Sequence, residues 1–159
     1  MATIPIKVHI EASIKEAYRP QPGEVLIAIT EPGQTPITPL GTFAATYHLA
    51  AWDLPRTIDH PKYGRIGPLT LNDAAPLLEF VLKHRNTMSK LVIYCKAGVA
   101  RSPAVAIALS EWLPTSPHTY QLIKTPPVSI ARRIAPCVTP RSREDSSWPN
   151  DREIVARAF

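Results

Sequence analysis

Residues 90–110 constrain this chain more than any other stretch. Leu91-Val92-Ile93-Tyr94 is short and apolar, and polar Ser89-Lys90 bounds it on the amino side. A run of that kind suits a strand covered on both faces, as in the middle of a parallel sheet. Cys95-Lys96-Ala97-Gly98-Val99-Ala100 then reads as a tight loop, and Arg101-Ser102-Pro103 as the first turn of a helix. Pro103 is tolerated there because first-turn amides have no intrahelical partner. Ala104-Val105-Ala106-Ile107-Ala108-Leu109 is apolar nearly all round, the pattern of a helix packed on a sheet, and Pro114 closes it after Trp112-Leu113.

The flanking sequence extends this pattern. Ile4, Ile6, Val8 and Ile10 alternate as a strand, residues 12–18 read as a short helix, and residues 25–30 as a second strand. Pro32, Gly33, Pro36, Pro39 and Gly41 make residues 31–41 a loop. Tyr47-His48-Leu49-Ala50-Ala51-Trp52 is an extended run that ends at Asp53 and the turn-rich Leu54-Pro55-Arg56. Residues 72–85 form a helix with Ala75, Leu78, Val81 and Leu82 on one face. Ser116 and Pro117 cap and open a helix to residue 123. Residues 128–134 are helical within an irregular Pro-rich segment at about 125–149, and residues 151–159 are helical by pattern. Strands alternating with helices give an α/β fold, a small parallel-rich central sheet flanked by helices on both faces. With 159 residues and 45% hydrophobic content, a single domain, 1–159, with one core is expected.

The loop also carries chemistry. Cys95 and Arg101 bracket five residues, and Ser102 follows directly. A helix N-terminus offers unpaired amides and a partial positive charge, so this loop suits a phosphate dianion. The same field lowers the pKa of a cysteine at the loop entrance and makes its thiolate a nucleophile near neutral pH. Gly98 supplies a positive φ that turns amides inward, and Ala97, Val99 and Ala100 leave backbone rather than polar side chains facing the ligand. An arginine at a helix start is unfavourable unless an anion is near. The spacing alone is weak: Cys137 and Arg143 also bracket five residues. That copy lacks a preceding apolar run and a glycine, and Pro140 removes an amide the cradle needs. A cysteine closing an apolar strand is otherwise a small buried hydrophobe.

Thiolate attack on a phosphomonoester expels an oxygen that a carboxylic acid must protonate. Five aspartates are present: Asp53, Asp59, Asp73, Asp145 and Asp151. Asp53 ends an extended run at what should be the carboxyl edge of the sheet, where chemistry in open α/β sheets belongs. Asp59, in the loop-like Ile58-Asp59-His60-Pro61, is its competitor. Asp73 belongs to a helix start, Thr70-Leu71-Asn72-Asp73, where a carboxylate is structural. Asp53 is otherwise a solvated loop carboxylate or a turn residue. The expected roles are Cys95 as nucleophile, Arg101 as a planar fork on two phosphoryl oxygens, Asp53 as acid and then base, and Ser102 as hydrogen-bond partner of the sulfur. The amides of Lys96, Ala97, Gly98, Val99, Ala100 and Arg101 would hold the phosphate. Ser102 is equally well read as an ordinary helix-start hydroxyl, and Lys96 as a solvated surface charge.

Cys95-Lys96-Ala97-Gly98-Val99-Ala100-Arg101-Ser102 resembles the signature of the cysteine-based protein tyrosine and dual-specificity phosphatase superfamily, most closely the small predicted tyrosine phosphatases of bacteria and phages. Ile27-Ala28-Ile29-Thr30-Glu31-Pro32-Gly33, Trp52-Asp53-Leu54 and Trp148-Pro149-Asn150 fit the same group. The resemblance spans most of the chain, with only the cysteine loop highly specific. It implies a phosphotyrosine phosphatase-like fold, a phosphocysteine intermediate, and an acid some tens of residues before the cysteine, which falls on Asp53. One position departs: the superfamily usually has histidine before the nucleophile, and this chain has Tyr94. The start Cys95-Lys96-Ala97-Gly98 also resembles some lipid phosphatases, so phosphoinositides or an RNA 5′-phosphate are alternative substrates. A phosphate-binding module without turnover is the other alternative.

Composition narrows the remaining classes. The net charge of +5 draws anionic substrates at low salt, and a phosphorylated protein or other phosphomonoester is the expected partner. No aromatic-interleaved RNA motif or helix-turn-helix accompanies the late arginines, so no nucleic-acid partner is expected. Five scattered histidines and two cysteines give no ligand set, hence no metal and no cofactor. There is no bilayer-length apolar run and no basic-then-apolar leader, and a required free thiol suits a reducing cytoplasm.

Overall fold

A computed structural model describes residues 3–54, 56–67, 69–110 and 113. Their order is β1 (Ile6–Ile10), α1 (Glu11–Glu16), β2 (Glu24–Thr30), β3 (Ala45–Ala50), β4 (Ile58–His60), β5 (Gly64–Ile66), α2 (Leu71–His84), β6 (Lys90–Cys95) and α3 (Arg101–Ser110). Four strands form a parallel sheet in the order β1-β6-β2-β3, and β4 pairs antiparallel with β5 in a separate hairpin. The expected helices at 116–123, 128–134 and 151–159, the Pro-rich segment and the Cys137–Arg143 spacing lie outside the described residues.

Strand alternation divides the core in two. Val25, Ile27 and Ile29 of β2 and Leu91, Ile93 and Cys95 of β6 share one buried cluster with Ala74, Leu77 and Leu78 of α2 and Ala104, Val105 and Leu109 of α3. Leu26, Ala28, Val92 and Tyr94 face the other way, onto Ile14 of α1 and Phe43. All seven residues of β2 are buried, as expected for a strand covered on both faces. Helices therefore lie on both sides of the sheet, which makes the fold α/β.

Topology singles out one end of β6. The chain leaves β1 through α1 on one face, and leaves the adjacent β6 through α3 on the other. Neighbouring strands whose connections diverge open a crevice at their carboxyl ends, where ligands of open α/β sheets bind. Cys95 is the last residue of β6 and pairs with Ile10, the last of β1.

The opposite end of the sheet fixes the register. Glu24, 1% exposed, opens β2 beside Lys90, which opens β6, and the two form a salt bridge. The Tyr18 hydroxyl donates to the same carboxylate at 2.7 Å. Burial pushes the Glu24 carboxyl up, but the hydrogen bonds from Lys90, Tyr18 and the Gln21 backbone outweigh it and hold it below the usual range. A one-residue slip of β6 would break this pair and turn Cys95 to the other face. Tyr18 is thereby drawn away from α1, whose last turn opens with Tyr18 N–H donating to the Ser13 carbonyl at 2.8 Å. This is why the helix stops at Glu16 rather than at residue 18.

Two further differences from the sequence reading concern the middle of the chain. Ile58-Asp59-His60, read as loop, is strand β4. Its turn closes because His60 Nδ1 accepts the Lys62 and Tyr63 amides at 3.1 and 3.3 Å, and Gly64 takes a φ of 70°. Helix α2 starts one residue early, at Leu71, because the Thr70 amide and hydroxyl both donate to the Asp73 carboxylate, at 2.8 and 2.6 Å. Such a cap is worth about 1 kcal/mol.

Candidate active site

The loop after β6 closes against the end of β1. Gly98 has a φ of 65°, and a Cβ there would stand 2.8 Å from Ile10 Cγ2 and 3.2 Å from the His9 carbonyl oxygen. Only glycine fits both the left-handed backbone and the close approach. Gly98→Ala should destabilise the fold by about 1–3 kcal/mol, read as a lower denaturant midpoint, and weaken phosphate binding in parallel.

The loop brings Cys95, Gly98, Arg101 and Ser102 together. The Cys95 sulfur is 3.1 Å from Ser102 Oγ, and the sulfur is buried with only 2% of the residue exposed. Burial pushes the thiol pKa up. Hydrogen bonds from the Ser102 hydroxyl, the Ser102 amide and the Gly98 amide, with the positive charge of Arg101, more than reverse this, and the thiol lies below its ordinary value. The expected Ser102 contact with sulfur is present. The rim is open: Lys96 and Ala97 are exposed, Gly98 and Ala100 half-buried, and Val99 is 69% exposed.

Arg101, the first residue of α3, is 8% exposed. Its Nη1 donates to the Ala51 carbonyl at 3.2 Å, and among the described residues it makes no ion pair with a carboxylate. A buried guanidinium normally has an anionic partner, because an unpaired charge loses hydration without compensation. One of its five donors is taken by the Ala51 carbonyl, which orients the guanidinium plane.

Asp53 lies two residues beyond Ala51, so it stands on the same carboxyl edge of the sheet as Cys95, with β2 between their strands. Its side chain is exposed, and it is not among the groups held against sulfur. Asp59 is exposed on β4, opposite Arg65 of β5. The Asp73 carboxylate is committed to the cap of α2. Asp145 and Asp151 lie outside the described residues. Tyr94 faces away from Cys95, within the cluster on the α1 side. Its hydroxyl is buried beside the Ile37 backbone without a hydrogen bond of ordinary geometry, and burial pushes its pKa up, so it stays a neutral phenol.

Three features were not read from the sequence. The first is the Ala51 carbonyl as anchor of Arg101, for which a side-chain pattern carries no signal. The second is Thr30, whose hydroxyl binds His48 Nε2 at 2.7 Å and lies 3.1 and 3.2 Å from the Glu31 and Gln34 carbonyls, pinning the loop after β2. The third is a cleft of about 430 Å³ at the carboxyl end of β3, lined by Pro32, Ala51, Trp52, Arg65, Leu69 and Thr70 among others. No cluster of His, Cys, Asp and Glu suited to a metal occurs among the described residues, and no helix there is long and apolar enough to cross a membrane. No protein-family model, curated protein or solved structure matches this chain.

Proposed function

We propose that this protein is a phosphomonoester hydrolase working through a phosphocysteine intermediate, on phosphotyrosine or, with dual specificity, on phosphoserine and phosphothreonine as well. The observation that carries this reading is Arg101, a buried guanidinium with no carboxylate, one residue before the Ser102 that contacts a low-pKa cysteine. A phosphoryl dianion would engage the donors of Arg101 that no carboxylate takes, and the Cys95 thiolate beside it would be the group that reacts with phosphorus. The sheet order and the divergence of α1 and α3 around β6 are consistent with a phosphotyrosine phosphatase-like fold, and a thiolate of this kind suits a reducing cytoplasm.

In this mechanism the Cys95 thiolate attacks phosphorus, an S–P bond forms, and the P–O bond to the alcohol breaks. Asp53 delivers its proton to the departing oxygen. Water then attacks phosphorus, Asp53 takes its proton, and the S–P bond breaks to return inorganic phosphate and the thiolate. The Ser102 hydroxyl stabilises the sulfur as it leaves. Arg101 and the amides of residues 96–101 bear the charge on the phosphoryl oxygens. The exposed position of Asp53 fits an acid on a loop that closes over substrate.

Rapid-quench kinetics with an aryl phosphate tests this. The expected result is a burst of aryl alcohol, one per chain, with phosphate bound covalently to Cys95. Asp53→Asn should lower kcat by about 10²–10⁴-fold for substrates with poor leaving groups. Phosphate binding with no release of alcohol would contradict hydrolysis and leave a binding module.

A further inference from the structure

Resting on the hydrolase reading, we propose that Tyr63, at the turn of the β4–β5 hairpin, is a positioning residue whose ring holds Trp52 and so sets where the Asp53 carboxyl stands as it protonates the leaving group. Trp52 directly precedes Asp53. Its ring packs on the Tyr63 ring, with centroids 5.2 Å apart and planes tilted by 45°. The chain is tied down just before this contact. The Ala51 amide donates to the Thr30 carbonyl at 2.9 Å, and the Ala51 carbonyl accepts from Arg101. Beyond it, Trp52, Asp53 and Leu54 make no backbone hydrogen bond with another described residue. The direction in which the chain leaves Ala51 is therefore set by side-chain packing, and the Trp52 ring is the anchor next to Asp53.

A brace must itself be held, and the hairpin turn holds Tyr63 at several points. Its amide donates to His60 Nδ1 at 3.3 Å, the His60 ring lies 4.9 Å from its own, and the Lys62 ammonium stands 4.9 Å from its ring centroid. The base of the hairpin is also closed, since a Cβ on Gly67 would stand 2.8 Å from Thr57 Oγ1. Tyr63 is nevertheless 49% exposed, so its ring fills no core. Its loss should act on Trp52 rather than on the fold. A general acid works only within hydrogen-bond reach of the atom it protonates, and a small misplacement is costly. Trp52 is half-buried and Asp53 exposed, which leaves the carboxyl at the edge of the site with its approach governed by the ring beside it.

The test is kcat/KM for phenyl phosphate, whose leaving group needs a proton, and for 4-nitrophenyl phosphate, whose stabilised phenolate needs little help. Tyr63→Ala should lose about fivefold on phenyl phosphate, the scale of one aromatic pair, and less than about twofold on 4-nitrophenyl phosphate. Tyr63→Phe keeps the ring and should match wild type on both, and Tyr63→Leu should fall between the two variants. Combined with Asp53→Asn, none of these changes should cost anything further. Equal losses on the two substrates, no loss in Tyr63→Ala or Tyr63→Leu, or a loss that persists on top of Asp53→Asn overturns the brace alone, provided turnover still depends on Cys95. A leaving-group effect that follows Asp59→Asn instead of Asp53→Asn also overturns it. Absence of Cys95-dependent turnover overturns the hydrolase reading and the brace with it.

Discussion

Cys95→Ser should lower aryl-phosphate hydrolysis by at least about 10⁴-fold, the scale on which losing a nucleophile acts. A serine hydroxyl in the same place has no neighbouring base to ionise it, whereas Ser102, Gly98 and Arg101 together lower the pKa of the wild-type sulfur. The substitution is close to isosteric at a fully packed position, so the loop should keep its shape. Phosphate binding should therefore survive and should strengthen, because the thiolate no longer repels a dianion a few ångströms away. The pairing of lost turnover with retained or improved binding separates a nucleophile from a core residue. Activity within about tenfold of wild type would assign the chemistry elsewhere.

Arg101→Met should lower kcat/KM by about 10³-fold, since it removes the forked donor and its charge together. Its effect on stability should run the other way. The Arg101 guanidinium is bonded to the Ala51 carbonyl and meets no carboxylate among the described residues, so an apolar side chain of similar length should leave the unfolding midpoint unchanged or raise it. Added phosphate should raise the midpoint of wild type and not of the variant, because only wild type binds it tightly. Arg101→Lys keeps the charge but loses the fork, and should recover only part of the activity. A large fall in stability with Arg101→Met, without a matching loss of phosphate-dependent stabilisation, would mean that the residue serves the fold.

How much of this was legible in the sequence varies by element. Leu91-Val92-Ile93-Tyr94 announced a buried strand because its apolar run has no polar alternation, and β6 is the second of four parallel strands. The start of α2 was legible because Thr70 and Asp73 stand at capping distance in sequence. The hairpin of β4 and β5 was not, because three-residue strands show no period and its turn is made by the His60 ring, which reads as an ordinary polar residue. Cys95, Gly98, Arg101 and Ser102 were legible as a group because one short loop carries them all. The Arg101 anchor was hidden, since a backbone carbonyl fifty positions away has no residue type to reveal it. The cleft was hidden for a related reason: its walls come from the ends of β2 and β3, the hairpin and the start of α2.

The state of the Cys95 sulfur at rest is the most direct test. Its rate of alkylation by iodoacetamide should be measured against pH, with and without phosphate. A depressed pKa keeps the sulfur ionised to lower pH than an ordinary thiol, so the rate should begin to decline only below the ordinary thiol value of about 8.5. Phosphate should slow the reaction across that plateau by occupying the loop. A midpoint at or above the ordinary value, with a rate indifferent to phosphate, would contradict an anion cradle built around a thiolate.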